Sequence, residues 1–248
     1  MKKSYLTLLI LSLFSCLFCK EPFYYFIPPK NWDVVDPAKL KPMFKIAFVE
    51  HSSKSFKPSL NLGIQKVDVS LTEYLEAAKK QHLLNRKKKW HELGYVKTPA
   101  GDAHISQIDE KAKFGDVRSM QCILVKEGLA YVITAVALRE DFIDYHNDFL
   151  KAFESFTICS DTVSSLNSQE LKNSYDVKVK ELLHNWTLFL AAGKTKQPLE
   201  KSFEDKRFQR SFWSDFEKFL SKSFKDQGVF WQVMASKEVK VLLLKDQS

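Results

Sequence analysis

The chain has 248 residues, of which 45% are hydrophobic, 13% aromatic and 27% charged. This composition is typical of a folded chain and excludes collagen-like, low-complexity and intrinsically disordered proteins. The formal net charge is +8 at pH 7, and charges of both signs alternate along most of the sequence, as on a mixed solvated surface. No apolar run reaches the roughly 18 residues that a spanning helix needs, which excludes a polytopic membrane protein.

The first residues have the pattern of an export signal. Lys2 and Lys3 precede an apolar stretch at 5–14, which is too short to span a membrane and fits a cleaved signal peptide. The sequence Leu13-Phe14-Ser15-Cys16 resembles a bacterial lipobox, except that Phe14 stands where a small residue is usual. We therefore expect residues 1–15 to be removed and Cys16 to carry diacylglycerol and further acyl chains such as palmitate, which together hold a protein on a membrane. An ordinary cleaved signal and an uncleaved anchor are the alternatives.

The next part of the chain reads as strands with two helices. The segments with alternating or apolar strand patterns are 23–28, 44–49, 59–69, 91–98, 103–111, 116–126, 129–138 and 155–158. Ser70 and Glu73 form a capping box that predicts a helix over 70–85, and large apolar residues at helical spacing predict another over 140–154. We expect an α+β domain over 16–159, an antiparallel β-sheet flanked by helices.

Beyond this domain the pattern changes to helices. Residues 160–168 are rich in Ser and Asn and predict a linker, after which apolar residues from Leu171 to Phe189 recur every three or four positions. A second helix near 200–225 would complete a helical hairpin in a C-terminal extension over 169–248, whereas residues 229–244 fit either a helix or a strand. The hairpin carries aromatic residues that could form a core or face a partner or lipid: Trp186, Phe189, Phe208, Phe212, Trp213 and Phe216.

The order of elements over 23–158 resembles the PsbP-like α/β/α sandwich family, which includes PsbP, Mog and many bacterial lipoproteins. The sequences that carry the resemblance are Phe26-Ile27-Pro28 with Trp32, Ser59-Leu60-Asn61-Leu62 before the capping box, Gly115-Asp116-Val117-Arg118, Ala130-Tyr131-Val132-Ile133-Thr134-Ala135, and Phe149 to Phe153 followed by Ser155-Phe156. Members of this family usually bind other proteins. The resemblance thus implies an assembly or adaptor role, and it does not extend to the C-terminal helices.

The densest basic cluster is Arg86-Lys87-Lys88-Lys89. Four neighbouring cations could contact an anionic lipid surface, or they could simply be solvated at the end of a helix. No nucleic-acid-binding motif accompanies the cluster, so we expect no nucleic-acid partner.

Few residues suggest catalysis or metal binding. Cys122 and Cys159 could form a disulfide in an oxidising compartment, although the alternating pattern around Cys122 favours a buried free thiol. His104 and Asp102 could supply half of a metal site, or they could lie on a polar exposed strand face. No recognisable catalytic, nucleotide-binding or metal-binding motif is present, and we expect no cofactor, no metal and no enzymatic activity.

The sequence thus predicts a lipid-anchored lipoprotein of the bacterial cell envelope, facing the periplasm or the cell surface. We expect it to contact the membrane through its anchor and to act as a protein-binding or assembly module on an envelope protein. The alternative is a carrier of a lipid or small molecule, with an aromatic pocket between the sheet and the C-terminal helices.

Overall fold

The computed structural model describes residues 22–113, 115–193 and 198–245. The strands in these residues are β1 (Phe23–Tyr25), β2 (Trp32–Val34), β3 (Phe44–Glu50), β4 (Ser59–Lys66), β5 (Lys88–Thr98), β6 (Gly101–Ala112), β7 (Gly115–Lys126), β8 (Leu129–Leu138) and β9 (Thr157–Cys159). The helices are α1 (Leu71–Leu83), α2 (Phe142–Glu154), α3 (Gln169–Ala191), α4 (Leu199–Phe203), α5 (Lys206–Phe208), α6 (Ser214–Ser223) and α7 (Gly228–Leu243). A π-helical turn, Gln209–Trp213, joins α5 to α6.

Seven strands form one antiparallel sheet in the order β2-β3-β4-β8-β7-β6-β5. β7 and β8 are joined by a two-residue hairpin turn at Glu127 and Gly128, whose φ angles are 51° and 73°. Two successive positive φ angles give the turn the twist that the flanking strands require. The short strands β1 and β9 pair separately with each other.

Helices α1 and α2 cover opposite faces of this sheet. Trp90 of β5 contacts the ring of His82 in α1, at a centroid distance of 5.5 Å. Arg118 lies in the next row of paired residues across the sheet. Its guanidinium lies 5.6 Å from the centroid of the Phe142 ring in α2. Because neighbouring rows of a sheet point to opposite faces, the two helices must lie on different sides. The predicted fold class, an antiparallel sheet flanked by helices with a C-terminal helical extension, is confirmed.

Ser70 begins α1 as predicted. Its hydroxyl oxygen accepts a hydrogen bond from the amide of Glu73, and the carboxylate of Glu73 accepts one from the amide of Ser70 at 2.8 Å. These bonds satisfy two amides that have no partner within the helix. They therefore determine the residue at which α1 begins after β4.

The C-terminal helices share the hydrophobic core of the sandwich. Phe230 of α7 is fully buried, and its ring centroid lies 5.0 Å from that of Phe26 and 5.6 Å from that of Phe48 on β3. Trp186 of α3 is also fully buried, with its ring 4.7 Å from that of Phe208. The hydrophobic effect therefore joins the extension to the sheet.

Several segments differ from what the sequence pattern indicated, among them the single helix predicted near 200–225, which is divided into α4, α5, the π-helical turn and α6. β2 was not predicted, β9 pairs with β1 at the side of the main sheet, and the ambiguous segment 229–244 is the helix α7. The residues predicted as a linker bury Thr162, Ser165 and Leu166 against the C-terminal helices.

Within the described residues, no helix is long and apolar enough to cross a membrane.

Candidate functional site

Strand alternation divides the predicted basic cluster between two sides of β5. Lys88 forms an ion pair with Glu110, with 3.3 Å between Nζ and Oε2. Its neighbour Lys89 points to the other face, in the same cross-strand row as Asp109 and Arg118. Only part of the cluster is therefore available to one ligand.

Arg86, Lys87 and Lys89 line an open cleft of about 350 Å³ at one end of the sheet. We call this feature the basic cleft, and the other residues that line it are His91, Gln107, Asp109, Glu110, Lys111, Asp116, Val117, Arg118 and Arg139. β5 and β7 start at this end of the sheet, whereas β6 and β8 finish there. The three antiparallel pairings among β5, β6, β7 and β8 thus bring together residues as far apart in the sequence as Arg86 and Arg139.

A bidentate ion pair fixes one wall of the basic cleft. The Nε and Nη2 atoms of Arg118 donate to the two carboxylate oxygens of Asp109 at 2.7 and 2.8 Å. The Arg118 guanidinium lowers the pKa of Asp109, so this carboxylate stays ionised and keeps the arginine in place. Arg139 and Asp116 approach more loosely, at 3.9 Å.

The basic cleft also contains cations other than Arg118 and Arg139. Arg86, Lys87, Lys89 and Lys111 are exposed and form no ion pair within the described residues. The side chains that line the cleft include six Lys or Arg residues and three carboxylates. This excess of positive charge around one concave space suits an anion.

Cys16, the predicted lipidation site, lies outside the described residues. Cys122 and Cys159 are both free thiols in the structure, and the predicted burial of Cys122 is confirmed by its 2% exposure. Burial raises the pKa of the Cys122 thiol to about 12, so it is protonated at neutral pH and suits neither a nucleophile nor a metal ligand.

His104 and Asp102 do not form the start of a metal site. Asp102 is exposed, whereas His104 is buried with its ring 5.2 Å from that of Tyr95, so the expected polar exposed strand face is wrong for His104. The alternating pattern predicted correctly that the two side chains lie on one face of β6. On that face Tyr95 packs against the ring of His104, while the side chain of Asp102 stays exposed. In the described part of the chain, no group of three or more His, Cys, Asp and Glu residues could hold a metal ion.

The aromatic residues of the C-terminal helices lie mostly in the core. Trp186, Phe208, Phe216 and Trp213 are buried, while Phe189 and Phe212 are half-buried. Most of these aromatic side chains therefore belong to the hydrophobic core and do not face a partner or lipid.

No family model matches the chain, and no curated protein matches it. Among solved structures, the chain is similar to LpqN of Mycobacterium tuberculosis, which is described as involved in cell envelope biogenesis. The identity is 14% and the TM-score 0.43, over 56% of this chain and 84% of that one.

The chain is also similar to two other structures. Cyanobacterial PsbP from Synechocystis is 14% identical with a TM-score of 0.40, over 54% of this chain and 86% of its own. The Ran-binding protein Mog1p of Saccharomyces cerevisiae is 17% identical with a TM-score of 0.35, over 52% and 80%. The similarity to the PsbP-like sandwich is thus one of fold, and at these values it carries no conclusion about what this chain binds.

Proposed function

We propose that the protein is a bacterial envelope lipoprotein, held on the membrane by acyl chains on Cys16, and that its folded part is a non-catalytic protein-binding module. The hydrophobic core begins close behind the proposed anchor, since Phe23 and Tyr24 are buried. Pro22 lies six residues after Cys16, so the connection reaches at most about 20 Å even when fully extended. Lipidation at Cys16 would therefore confine the domain to the membrane surface.

The observation that best supports protein binding is the open edge of the sheet at β5. This strand has eleven residues and, within the described residues, pairs only with β6. Leu93 and Tyr95 on this strand are 51% and 66% exposed. An edge strand with exposed apolar side chains can accept an added strand from a partner, whose backbone would bond to the open edge.

The same edge disfavours pairing with a second copy of the chain. A bulge between Glu92 and Gly94 interrupts the register, and the exposed Lys89 and Lys97 place positive charge on the edge strand. Bulges and lysines are common means by which proteins prevent edge-to-edge association. A different protein with an acidic extended segment would fit the edge better.

Photocrosslinking in intact envelopes tests this function. We expect a photoreactive residue at Tyr95 to give a discrete adduct with one envelope protein. The matched control is a photoreactive residue at Val177, which is 67% exposed on α3 and far along the chain from β5. The proposal fails if Tyr95 gives no adduct, or if both positions give the same adducts with similar yield.

The carrier alternative needs an aromatic pocket between the sheet and the C-terminal helices. Rings occupy that interface, because Phe230 contacts Phe26 and Phe48 and all three side chains are fully buried. Native mass spectrometry of protein purified from membranes should accordingly give the mass of the acylated chain alone. A stoichiometric apolar ligand, such as a lipid, would favour the carrier function, whereas a small phosphate compound would not, because it would not need the aromatic pocket.

A further inference from the structure

We propose that the basic cleft binds the phosphate group of a small soluble ligand. The role differs from partner binding at the neighbouring β5 edge, although Lys89 belongs to both surfaces, and phosphate binding itself does not depend on lipidation at Cys16. Four exposed cations of the cleft lack an ion pair in the described residues, namely Arg86, Lys87, Lys89 and Lys111. Arg86, Lys87 and Lys89 are neighbours in the sequence, and the pairing of β5 with β6 brings Lys111 to them in the folded chain.

The turn before β5 gives two of these cations a defined position. The Asn85 side-chain oxygen accepts a hydrogen bond from the amide of Lys87 at 3.0 Å, and the Asn85 carbonyl oxygen accepts one from the amide of Lys88 at 2.9 Å. The amide of Lys111 in turn donates to the carbonyl oxygen of Lys87 at 3.3 Å. The backbones that carry Lys87 and Lys111 are therefore joined across the mouth of the cleft.

Arg118 supplies a donor that is already oriented. Two of its five N–H groups are used by Asp109, and the cation–π contact with Phe142 holds the plane of the guanidinium. A guanidinium held in this way loses little side-chain entropy when it binds an anion. Its remaining N–H groups match the geometry of phosphate oxygens.

The number of cations favours phosphate over a singly charged anion. A phosphate monoester carries between about 1.5 and 2 negative charges at pH 7 and has three strong acceptor oxygens. Four unpaired cations around one space of about 350 Å³ exceed what a single carboxylate would need. The volume is at the lower end of the range for small-molecule sites.

The position of the cleft favours a soluble ligand over a headgroup of the anchoring membrane. Pro22, where the described chain begins, lines a different cleft together with Glu127 and Gly128 of the β7–β8 turn. The basic cleft lies at the opposite end of β7, beside Val117. The ten residue steps from Val117 to Glu127 span about 30 Å in a strand. This step, unlike phosphate binding itself, rests on the proposed anchor at Cys16.

The binding test uses the full-length protein in detergent micelles and glycerol 3-phosphate as the probe. Binding is followed by the ³¹P resonance of the probe at constant ionic strength. We expect saturable binding that weakens at least about tenfold in a Lys89→Gln/Lys111→Gln variant, because two charge-assisted contacts are lost. Both lysines are exposed, so the variant should fold normally.

The matched control is Lys180→Gln/Lys222→Gln, which removes the same net charge from exposed positions on α3 and α6. Its affinity for the probe should stay within about twofold of the unsubstituted protein. Absent or unsaturable binding, or an equal loss in both variants, would overturn the proposal.

A second arm identifies the source of the phosphate. The protein is reconstituted in vesicles of phosphatidylcholine or of phosphatidylglycerol, at about 0.15 M salt, where charges are screened beyond roughly 8 Å. Equal affinity for glycerol 3-phosphate in both membranes is the expected result. Tenfold weaker binding in phosphatidylglycerol vesicles would show that lipid headgroups occupy the cleft, and the soluble ligand would be rejected.

Discussion

The indole Nε1 of Trp231 donates a hydrogen bond to the hydroxyl oxygen of Ser165 at 2.7 Å, and both side chains are buried. The bond joins α7 to the segment between the sandwich and α3, 66 positions away in the sequence. A buried indole N–H that lacks a partner costs free energy, so this bond determines how the segment packs. The C-terminal helices and the sandwich are consequently expected to unfold together.

Ser165→Ala tests the hydrogen bond itself. The variant leaves the Trp231 N–H buried without its acceptor, so the free energy of unfolding should fall by about 1–3 kcal/mol. Urea unfolding followed by tryptophan fluorescence measures the change. Ser223→Ala, at an exposed serine on α6, is the control and should change stability by less than about 0.5 kcal/mol. Equal effects of the two substitutions would contradict the structural role of Ser165.

Phe230→Ala tests whether the extension and the sheet form one cooperative unit. The substitution removes the ring that contacts Phe26 and Phe48, and such a cavity costs about 3–5 kcal/mol. Helix and sheet signals in circular dichroism should shift to lower urea by the same amount. A shift of the helix signal alone would mean that the two parts unfold independently.

The pH dependence of stability tests the environment of His104. Burial lowers the pKa of His104 below its ordinary 6.5, and Glu92 opposes this to a smaller extent. Below pH 6.5 the histidine is therefore protonated in the unfolded chain but stays neutral in the folded chain until the pH approaches its lower folded-state pKa. The free energy of unfolding should fall as the pH drops from 6.5 towards the lower folded-state pKa, and this contribution should be constant above 6.5.

The measurement compares urea midpoints at about pH 7.5 and 5.5 for the unsubstituted protein and for His104→Gln. The variant should lose less stability between the two values, although burial also lowers the pKa of His82 and leaves part of the effect. An unchanged pH dependence in His104→Gln would show that His104 is not buried as neutral imidazole.

Thiol reactivity tests the state of Cys122 and Cys159. Burial raises both pKa values, that of Cys122 to about 12, so these two thiols should react slowly with iodoacetamide at pH 8 in the folded protein. Cys159 is half-buried and should react before Cys122. Peptide mass spectrometry after alkylation in denaturant should find both thiols labelled. A disulfide-linked peptide pair would contradict the structure.

Local patterns in the sequence predicted the sheet and its first helix because these elements depend on nearby residues. The capping box at Ser70 predicted where α1 begins, and alternating residues predicted β6 and β7 to within two residues at each end. β2 was missed, since three residues are too few to show a period. The segment of α7 was ambiguous because Phe230 and Val239 are buried while Val241 and Leu242 are exposed, which leaves no clean apolar stripe.

The basic cleft could be predicted only in part. Arg86, Lys87 and Lys89 are adjacent in sequence, whereas Arg118 and Arg139 reach the cleft through hairpin pairing. Arg118 lies opposite Asp109 in the pairing of β6 with β7, and the bulge near Gly94 shifts the register of β5 by one residue. The face of the sheet on which Lys88 lies therefore could not be predicted from the sequence.

The proposed function depends on acyl chains at Cys16 that hold this domain on a membrane. The most direct measurement is the intact mass of the mature protein extracted from membranes, beside that of a Cys16→Ala variant. We predict a mass equal to residues 16–248 plus two or three acyl chains, and no acylated species in the variant. A mature chain without acyl groups, or one that retains Met1, would contradict the account.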